Sequence, residues 1–594
     1  MMEPSRWPRT DKTSGHAPAT MTRVALEPFE YEGVRLLPSR FQEQAAQARD
    51  VYYGVPNDDI LKGFRRDAGL PAPGHDMGGW CSRTSGGIFG QLLSGMARMS
   101  KATGDADLRV KAITLLEGWR ETVGPDGNLK LGAYPWEKLV CGLVDLYVYA
   151  DYEPALPLLE RATDWATRAF DRSRPRANAL DWDGRHPGGA AEWYTLPENL
   201  YRAYLISGNP LFKDFADIWL YEDFWRQFEH TSAPKDAHSV HAYSHVNSFS
   251  SAAMAYAVTG DRRYLTIATN AYDYLQRTQC YATGGYGPAE RLLPADGRLG
   301  RALELHADDA EIPCGTWAGF KVARYLMTFT GEARYGDWIE RLLYNGIGAA
   351  LPTQSNGQTF YYADYRVASG EKLYFWEAWP CCSGTYWQAV ADYHNIIYFR
   401  TSHDLFVNLF VPSEVIWSCG DETVVVRQET AYPESDTTSL QVKTERPIRF
   451  GLHVRVPVWS KGVSVELNGS PVDVASIPGA WASIEREWYS GDRVTIRIPM
   501  DVRLVPVDAH HPRRAAVMYG PVALVQDGRF KRPFRLGTDV DLAGRLAPDG
   551  PGLRFKAVDH EPQDIPTGSF QPFYATPKRL PYRMYVDLDA PKLY

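Results

Sequence analysis

The sequence holds no apolar run approaching the roughly 20 residues that a membrane-spanning helix needs, so no bilayer span is expected. It also lacks a basic excess. Against 64 Lys and Arg stand 72 Asp and Glu, a formal charge of −8, which excludes the electrostatic footprint of a nucleic-acid binder. Cysteine is scarce: seven thiols, at 81, 141, 280, 314, 381, 382 and 419, are an odd number spread over 594 residues. That distribution excludes a disulfide framework and fits a reducing, cytoplasmic compartment. The first 25 residues, rich in Pro, Ser, Thr and charge, lack the apolar stretch of a secretory signal and read as a disordered leader, 1–25.

What the chain has is ordinary globular material, 44% hydrophobic and 23% charged, long enough for several structural units. Aromatics reach 13%, with 18 Trp and 35 Tyr, an abundance that suits a large core or a sugar-binding cleft built on flat rings with polar tips. The fold class expected is mainly α plus β. Thr103-Gly104-Asp105, Ser207-Gly208-Asn209, Thr259-Gly260-Asp261 and Thr330-Gly331-Glu332 each follow an apolar helical stretch. Glycine there suits a left-handed C-cap and Asp or Asn the next N-cap, so helical hairpins recur about every fifty residues. Stacked and closed, about six hairpins over residues 26–400 make an (α/α)6 toroid barrel with its loops around a central cleft. Beyond 400 the apolar period becomes two, in LFVNLFV, TVVVRQ, RFGLHVRVPVW and RVTIRIPMDVRLV. This predicts a C-terminal β-sandwich over 401–510 and a second β-rich domain over 511–594.

The residue types that carry chemistry concentrate in a few loops. Cys381 and Cys382 adjoin in WPCCSGTYW, and Cys314 follows Glu311 in DDAEIPCGTW. Thiolates and a carboxylate suit zinc, so Glu311, Cys314, Cys381 and Cys382 form a candidate four-ligand site from two segments. The spacing is equally compatible with small buried hydrophobes, a vicinal disulfide or a closed structural zinc site. Glu290 ends the glycine-rich turn TGGYGPAE, where a carboxylic acid can be presented to a ligand as a proton donor, or pair with the adjacent Arg291 on the surface. His241 and His245, four apart, lack the carboxylate of an HExxH metal motif and point to hydrogen bonds with sugar hydroxyls. Glu198 and Tyr362 are further candidate substrate contacts. One or two of Glu137, Glu192 and Glu198 could bind hydroxyls, but for each of the three the ordinary expectation is a solvated salt bridge, and for Glu340 a structural role.

TGGYGPAE, EIPCGTW, YGDWIERLLYNGIGAALP and WPCCSGT followed by IIYF, with HVRVPVW, VELNG, WYSGD and YGPVALV downstream, together resemble the β-L-arabinofuranosidases of glycoside hydrolase families 127 and 146. The resemblance implies an (α/α)6 barrel followed by β-sandwich domains and a zinc ion held by one Glu and three Cys. It implies Cys381 as nucleophile, Glu290 as acid/base and Cys314 and Cys382 as further zinc ligands, and His241 resembles a histidine of the family's HAN-type segment. The family pattern is Glu-x-Cys, whereas Ile312 and Pro313 separate Glu311 from Cys314 here. Glu311, Asp309, His306 or water therefore remain open as the fourth zinc ligand. The segment GGAAEWYTLPENLY likewise leaves Glu192 and Glu198 as competing equivalents of one family glutamate.

The expected activity is that of a retaining exo-glycosidase releasing a terminal furanose, foremost β-L-arabinofuranose, from an oligosaccharide or glycoconjugate. A homodimer is compatible with the sequence; nucleic acid and membrane are not expected as partners. Two rivals stand beside it. One is a sugar epimerase or lyase on the same toroid, with histidine-centred chemistry; the other is a noncatalytic carbohydrate-binding protein with structural zinc.

Overall fold

The computed structural model describes residues 21–22, 24–124, 127–173, 192–528, 546–557 and 569–588. Most of the expected leader lies outside the described residues, but its last residues are fixed. The Thr22 N–H donates to Ala257 O at 2.8 Å and that of Ala25 to Thr328 O at 2.8 Å, and Met21 and Val24 are buried, so the leader reading does not extend to residue 25.

Six helices form the centre of the N-terminal region: α1 (Gly86–Thr103), α2 (Ala133–Tyr149), α3 (Leu196–Ser207), α4 (Ala242–Thr259), α5 (Ile312–Thr330) and α6 (Cys381–Ala391). Each packs on the next, and α6 returns to α1. Helices Arg40–Gly54, Ala106–Arg120, Ala155–Ala169, Pro210–Ile218, Arg262–Thr278 and Gly336–Asn345 pack on α6, α1, α2, α3, α4 and α5 respectively. The two sets differ as their sequences require. Helices α5 and α6 are buried on all sides, while Arg262–Thr278 buries one stripe through Tyr264, Ile267, Ala268, Ala271 and Leu275. The Gly-Asp turns behave as their chemistry dictates. Gly104, Gly208 and Gly260 cap α1, α3 and α4 with φ near 70°, and Asp105, Asn209 and Asp261 accept backbone N–H groups of the next helix.

The ring helices enter from one end. Their N-terminal residues meet around the cysteines, and their C-terminal halves meet in a buried ionic network. There Asp145 of α2 takes Arg98 of α1 at 2.7 Å and Arg202 of α3 at 2.6 Å, and Arg98 also reaches Asp392 beyond α6 at 3.1 Å.

The strand-rich part holds three sheets. A five-stranded sheet includes Tyr398–Arg400, Asp404–Val407, Ile448–Arg455 and Trp481–Trp488, and a seven-stranded sheet includes Ser413–Cys419, Glu422–Thr430, Thr437–Thr444 and Arg493–Arg497. Trp417 of one sheet meets Phe450 of the other edge to face, ring centroids 5.0 Å apart. Two boundaries move from the sequence reading. Glu27–Pro28 pairs with residues 399–400 and Val34–Leu36 with residues 413–415, so the segment just after the leader belongs to these sheets rather than to the helical region. Val502–Pro506 pairs with Arg514–Tyr519 in the third, eight-stranded sheet, which therefore starts before residue 510. Glu340 of Gly336–Asn345, expected to be structural, joins helix to sheet by receiving Arg455 at 2.7 Å and the Tyr432 hydroxyl at 2.8 Å.

The third sheet backs the loops at the N-terminal end of the ring. Tyr281, Ile312, Phe360 and Tyr365 share a core with Met518, Phe573 and Tyr585, and the Tyr585 hydroxyl receives the Ala282 N–H at 2.9 Å. No helix among the described residues is long and apolar enough to cross a membrane.

Backbone contact closes the ring between α1 and α2. A Cβ on Gly90 would lie 1.9 Å from the Lys138 carbonyl oxygen, whereas one on Gly54, at the end of Arg40–Gly54, would meet nothing within 4 Å. Gly90→Ala is therefore expected to destabilise by about 1–3 kcal/mol despite alanine's better helix propensity, and Gly54→Ala is not. Thermal unfolding of the two variants checks this, and an unshifted midpoint for Gly90→Ala would refute the close packing.

Candidate active site

Cys381 and Cys382 are the first two residues of α6, entered through Pro380 in extended conformation and Trp379 at a φ of 52°. Glu311 is the N-cap residue of α5, and Pro313 occupies its first turn, where the missing N–H costs no helical bond. Ile312 N donates to Tyr361 O at 2.7 Å, and Glu311 pairs with Tyr362 in a short two-stranded ladder. The two residues between Glu311 and Cys314 are thus absorbed by a strand-to-helix junction.

The carboxylate still reaches the thiols. Cys382 Sγ lies 3.2 Å from Glu311 Oε1 and 3.3 Å from Cys314 Sγ, and Cys381 Sγ lies 3.7 Å from Cys314 Sγ and 3.9 Å from Glu311 Oε1. The four ligand atoms all lie within 4.8 Å of one another, and all four residues are buried. A tetrahedral zinc site with bonds of about 2.0–2.3 Å has donor separations of roughly 3.3–3.8 Å, so the set fits. Glu311 Oε2 is buried without a hydrogen-bond partner, an acceptor that a cation would satisfy. All seven cysteines are free, so no vicinal disulfide forms. The other candidate ligands are elsewhere: Asp309 accepts Tyr365 N at 2.6 Å, and His306 is half-buried beside Asp308.

Glu290 faces this cluster from the glycine-rich turn. Ala289 and Glu290 both adopt left-handed φ values, 50° and 57°, a costly conformation for residues with a Cβ and one that surrounding structure must impose. The carboxylate receives the Tyr362 hydroxyl on Oε1 at 2.5 Å and lies 3.3 Å from His241 Nε2 through Oε2. His241 is the N-cap of α4, its Nδ1 3.0 Å from the Ser244 hydroxyl. Glu290, His241 and Glu311 also place their ligand atoms within 4.8 Å of one another, so Glu311 stands between the acid and the thiols. Burial alone would raise the Glu290 carboxyl, but the hydrogen bond and charge of His241, with tyrosine hydroxyls, hold it at about 2. Burial opposes protonation of His241, yet its bond to Glu290 and the nearby Glu192 and Glu311 charges lift it to about 9. The pair therefore carries one proton, and it rests on the imidazole.

The remaining predicted residues separate. His245 has both ring nitrogens engaged inside the protein, Nδ1 2.8 Å from His241 O and Nε2 3.3 Å from the Tyr221 hydroxyl, with its ring against Tyr194 and Phe224. Burial and the neighbouring His241 charge pull it down to about 3, so it packs as a neutral support rather than as the expected sugar contact. Glu198 is likewise spoken for, paired with Lys321 and receiving the Tyr325 hydroxyl at 2.9 Å. Glu192, the competing glutamate, is the one whose charge acts on His241 and Cys381. It is buried with φ 40° and one carboxylate oxygen without a partner, and burial raises it to about 7 against the pull of His241 and Lys138. Two site residues were not singled out from sequence. Tyr361 holds its hydroxyl 3.6 Å from Cys381 Sγ, and Thr385 sets Oγ1 3.2 Å from Cys314 Sγ. Thr385 is four residues after Cys381, a helical spacing that places both on one face of α6.

A partly buried carboxylate beside a cysteine cluster at one end of a helical ring, carried with strand-rich domains, accompanies sequence matches to a family of glycoside hydrolases. The β-L-arabinofuranosidase GH127 catalytic-domain model matches residues 33–130 and 116–395, and the GH127 middle-domain model matches 404–500. The chain belongs to the GH127 family. Among solved structures it is similar to a GH127 β-L-arabinofuranosidase from Geobacillus stearothermophilus T6, with TM-score 0.70, 20% identity and coverage of 94% of this chain and 100% of that one. A solved GH127 β-arabinofuranosidase gives TM-score 0.72 at 18% identity, covering 95% and 98%. No curated protein matches the sequence.

If Glu311 is a metal ligand despite the altered spacing, Glu311→Gln should weaken zinc retention by roughly 10- to 100-fold. Chelator competition followed by metal analysis measures this, and wild-type retention in the variant would remove Glu311 from the ligand set.

Proposed function

We propose that this GH127 enzyme is a retaining, exo-acting β-L-arabinofuranosidase that uses Cys381 as nucleophile and Glu290 as acid/base on a zinc-bearing (α/α)6 barrel flanked by a β-sandwich. The closed cycle of six helices, each with its outer partner, and the facing aromatics of two sheets support the architecture. The observation that carries the chemistry is the placement of Glu311 within 4.8 Å of the donor atoms of both Glu290 and the cysteines, so that one carboxylate links acid and sulfur. When bound by Glu311, Cys314, Cys381 and Cys382, zinc supplies positive charge that keeps the thiols deprotonated at neutral pH.

The protein groups then divide a double displacement. Cys381 Sγ bonds to the anomeric carbon while the bond to the leaving oxygen breaks, and Glu290 gives that oxygen a proton. His241 Nε2 is the source of this proton, across the 3.3 Å contact. In the second half Glu290 takes a proton from water, whose oxygen bonds to the anomeric carbon as the C–S bond breaks. Two inversions retain configuration. The substrate is an oligosaccharide or glycoconjugate ending in a furanose.

Cys381→Ser should leave the fold intact and lower turnover by roughly 10³-fold or more, for any leaving group. Glu290→Gln should cost roughly 10²–10⁴-fold on alkyl or sugar glycosides and much less on p-nitrophenyl β-L-arabinofuranoside, whose phenolate leaves without a proton. Kinetics on the two substrate types separate the roles; equal sensitivity of both variants to leaving-group acidity would refute them. Activity that survived Cys381→Ala and vanished in His241→Ala would point to histidine-centred chemistry.

A further inference from the structure

An aromatic strip runs outward from the nucleophile. Tyr361, buried with its hydroxyl 3.6 Å from Cys381 Sγ, packs on Tyr362, ring centroids 4.3 Å apart, and Tyr362 holds the acid Glu290. From Tyr361 the contact continues to Phe375 at 4.6 Å and from Phe375 to Trp376 at 4.0 Å, while Trp80 closes on Phe375 at 6.1 Å and on Tyr361 at 6.5 Å. Exposure climbs along the strip: 4% for Tyr361, 7% for Phe375, 38% for Trp80 and 73% for Trp376.

The backbone beneath is pinned. Phe375 N donates to Thr359 O at 2.9 Å, Trp379 N to Gly357 O at 3.0 Å and Trp80 N to Ala378 O at 3.0 Å. Gln358 also donates to Trp376 O at 3.2 Å. The rings therefore stand on a fixed support.

A lone exposed tryptophan is ordinary and needs no explanation. This one is the outer end of a continuous apolar surface whose inner end touches both reacting groups. Its direction identifies the occupant. The leaving oxygen must lie against Glu290, so whatever is attached to that oxygen extends from the Glu290 and Tyr362 side. Rings with polar edges and apolar faces suit the C–H faces of sugar units.

We infer that Trp376 and Trp80, backed by the buried Tyr361 and Phe375, form a binding platform for the leaving group, which takes neutral sugar residues beyond the cleaved bond. The inference rests on the proposed furanosidase reading for its direction. The enzyme gains binding from the glycan chain and not only from the terminal furanose, so it favours oligosaccharides over small alkyl glycosides.

The test compares kcat/KM on a β-L-arabinofuranosyl-arabinose disaccharide with that on methyl β-L-arabinofuranoside. Trp376→Ala should reduce the ratio of the two by about tenfold, the scale of one well-packed tryptophan contact. Tyr489→Ala, which truncates an exposed aromatic of the strand-rich region, should leave the ratio alone. An unchanged ratio in Trp376→Ala overturns the platform. If the wild-type enzyme cleaved neither glycoside, the furanosidase reading would fail, and calorimetry would then judge the platform separately. Disaccharide binding to Cys381→Ser weakened about tenfold by adding Trp376→Ala sustains it. No binding, or binding that the second substitution does not weaken, overturns it.

Discussion

Everything near the site follows from one electrostatic constraint: several helix N-termini are aimed at the same buried point. Glu311 caps α5, His241 caps α4 and Cys381 opens α6. Unpaired N–H groups and aligned peptide dipoles make each of these ends favourable to negative charge. Groups that ionise to anions, three thiols and the carboxylates of Glu290 and Glu311, are gathered where the backbone supports that ionisation. The support is incomplete: burial first, and then the neighbouring charges, push the Glu311 carboxyl and the Cys314 and Cys382 thiols up, beyond what helix ends of about half a charge each can offset. A cation held by these groups would balance the remainder, and Glu311 Oε2, buried without a hydrogen-bond partner, is where it would be needed.

The other end of the ring obeys the complementary requirement. Arginines from α1 and α3 converge on Asp145 and Asp392, and Glu198 is neutralised by Lys321 of α5. Burying such charges is costly unless partners and hydrogen bonds are complete, and here each acid is shared among several donors. The C-terminal halves thus hold the Asp145, Arg98 and Arg202 network, while Glu198 is paired off at the start of its own helix. Glu192 and Glu198, six residues apart, differ in how fully they are paired. One retains an unpartnered oxygen beside His241, and the other has surrendered both to Lys321 and Tyr325.

That contrast explains how far the sequence could be read. The Gly-Asp turns were legible because capping is local: αL glycine and an acidic N-cap need no tertiary partner. The cysteine pair, Glu311 and Glu290 were legible as residue types, and the altered Glu-to-Cys spacing left the fourth ligand open because its resolution depends on Ile312 bonding to Tyr361 across the fold. The roles of His245 and Glu198 were not legible. Both are polar residues at helix starts, and only the packing of Tyr221, Lys321 and Tyr325 turns them inward. The strands at Glu27–Pro28 and Val34–Leu36 escaped for a similar reason, since two or three residues carry no period and gain their identity from partners nearly four hundred residues away.

The location of the single proton between His241 and Glu290 reconciles two demands on one carboxylate. A group that is an acid for departure of the aglycone and a base for entry of water must be neutral in the first half of the cycle and ionised in the second. In the free site it is already ionised, held so by the imidazolium and by Tyr362. In the proposed mechanism the proton for the first half has to come from a neighbour, and His241 Nε2 lies 3.3 Å from Oε2. In that mechanism it leaves with the aglycone, and the water of the second half replaces it. The strained turn at Ala289 and Glu290 would serve that proposed sequence: a rigid carboxylate can keep the imidazole, the tyrosine and the leaving oxygen within reach without reorganising between the two halves.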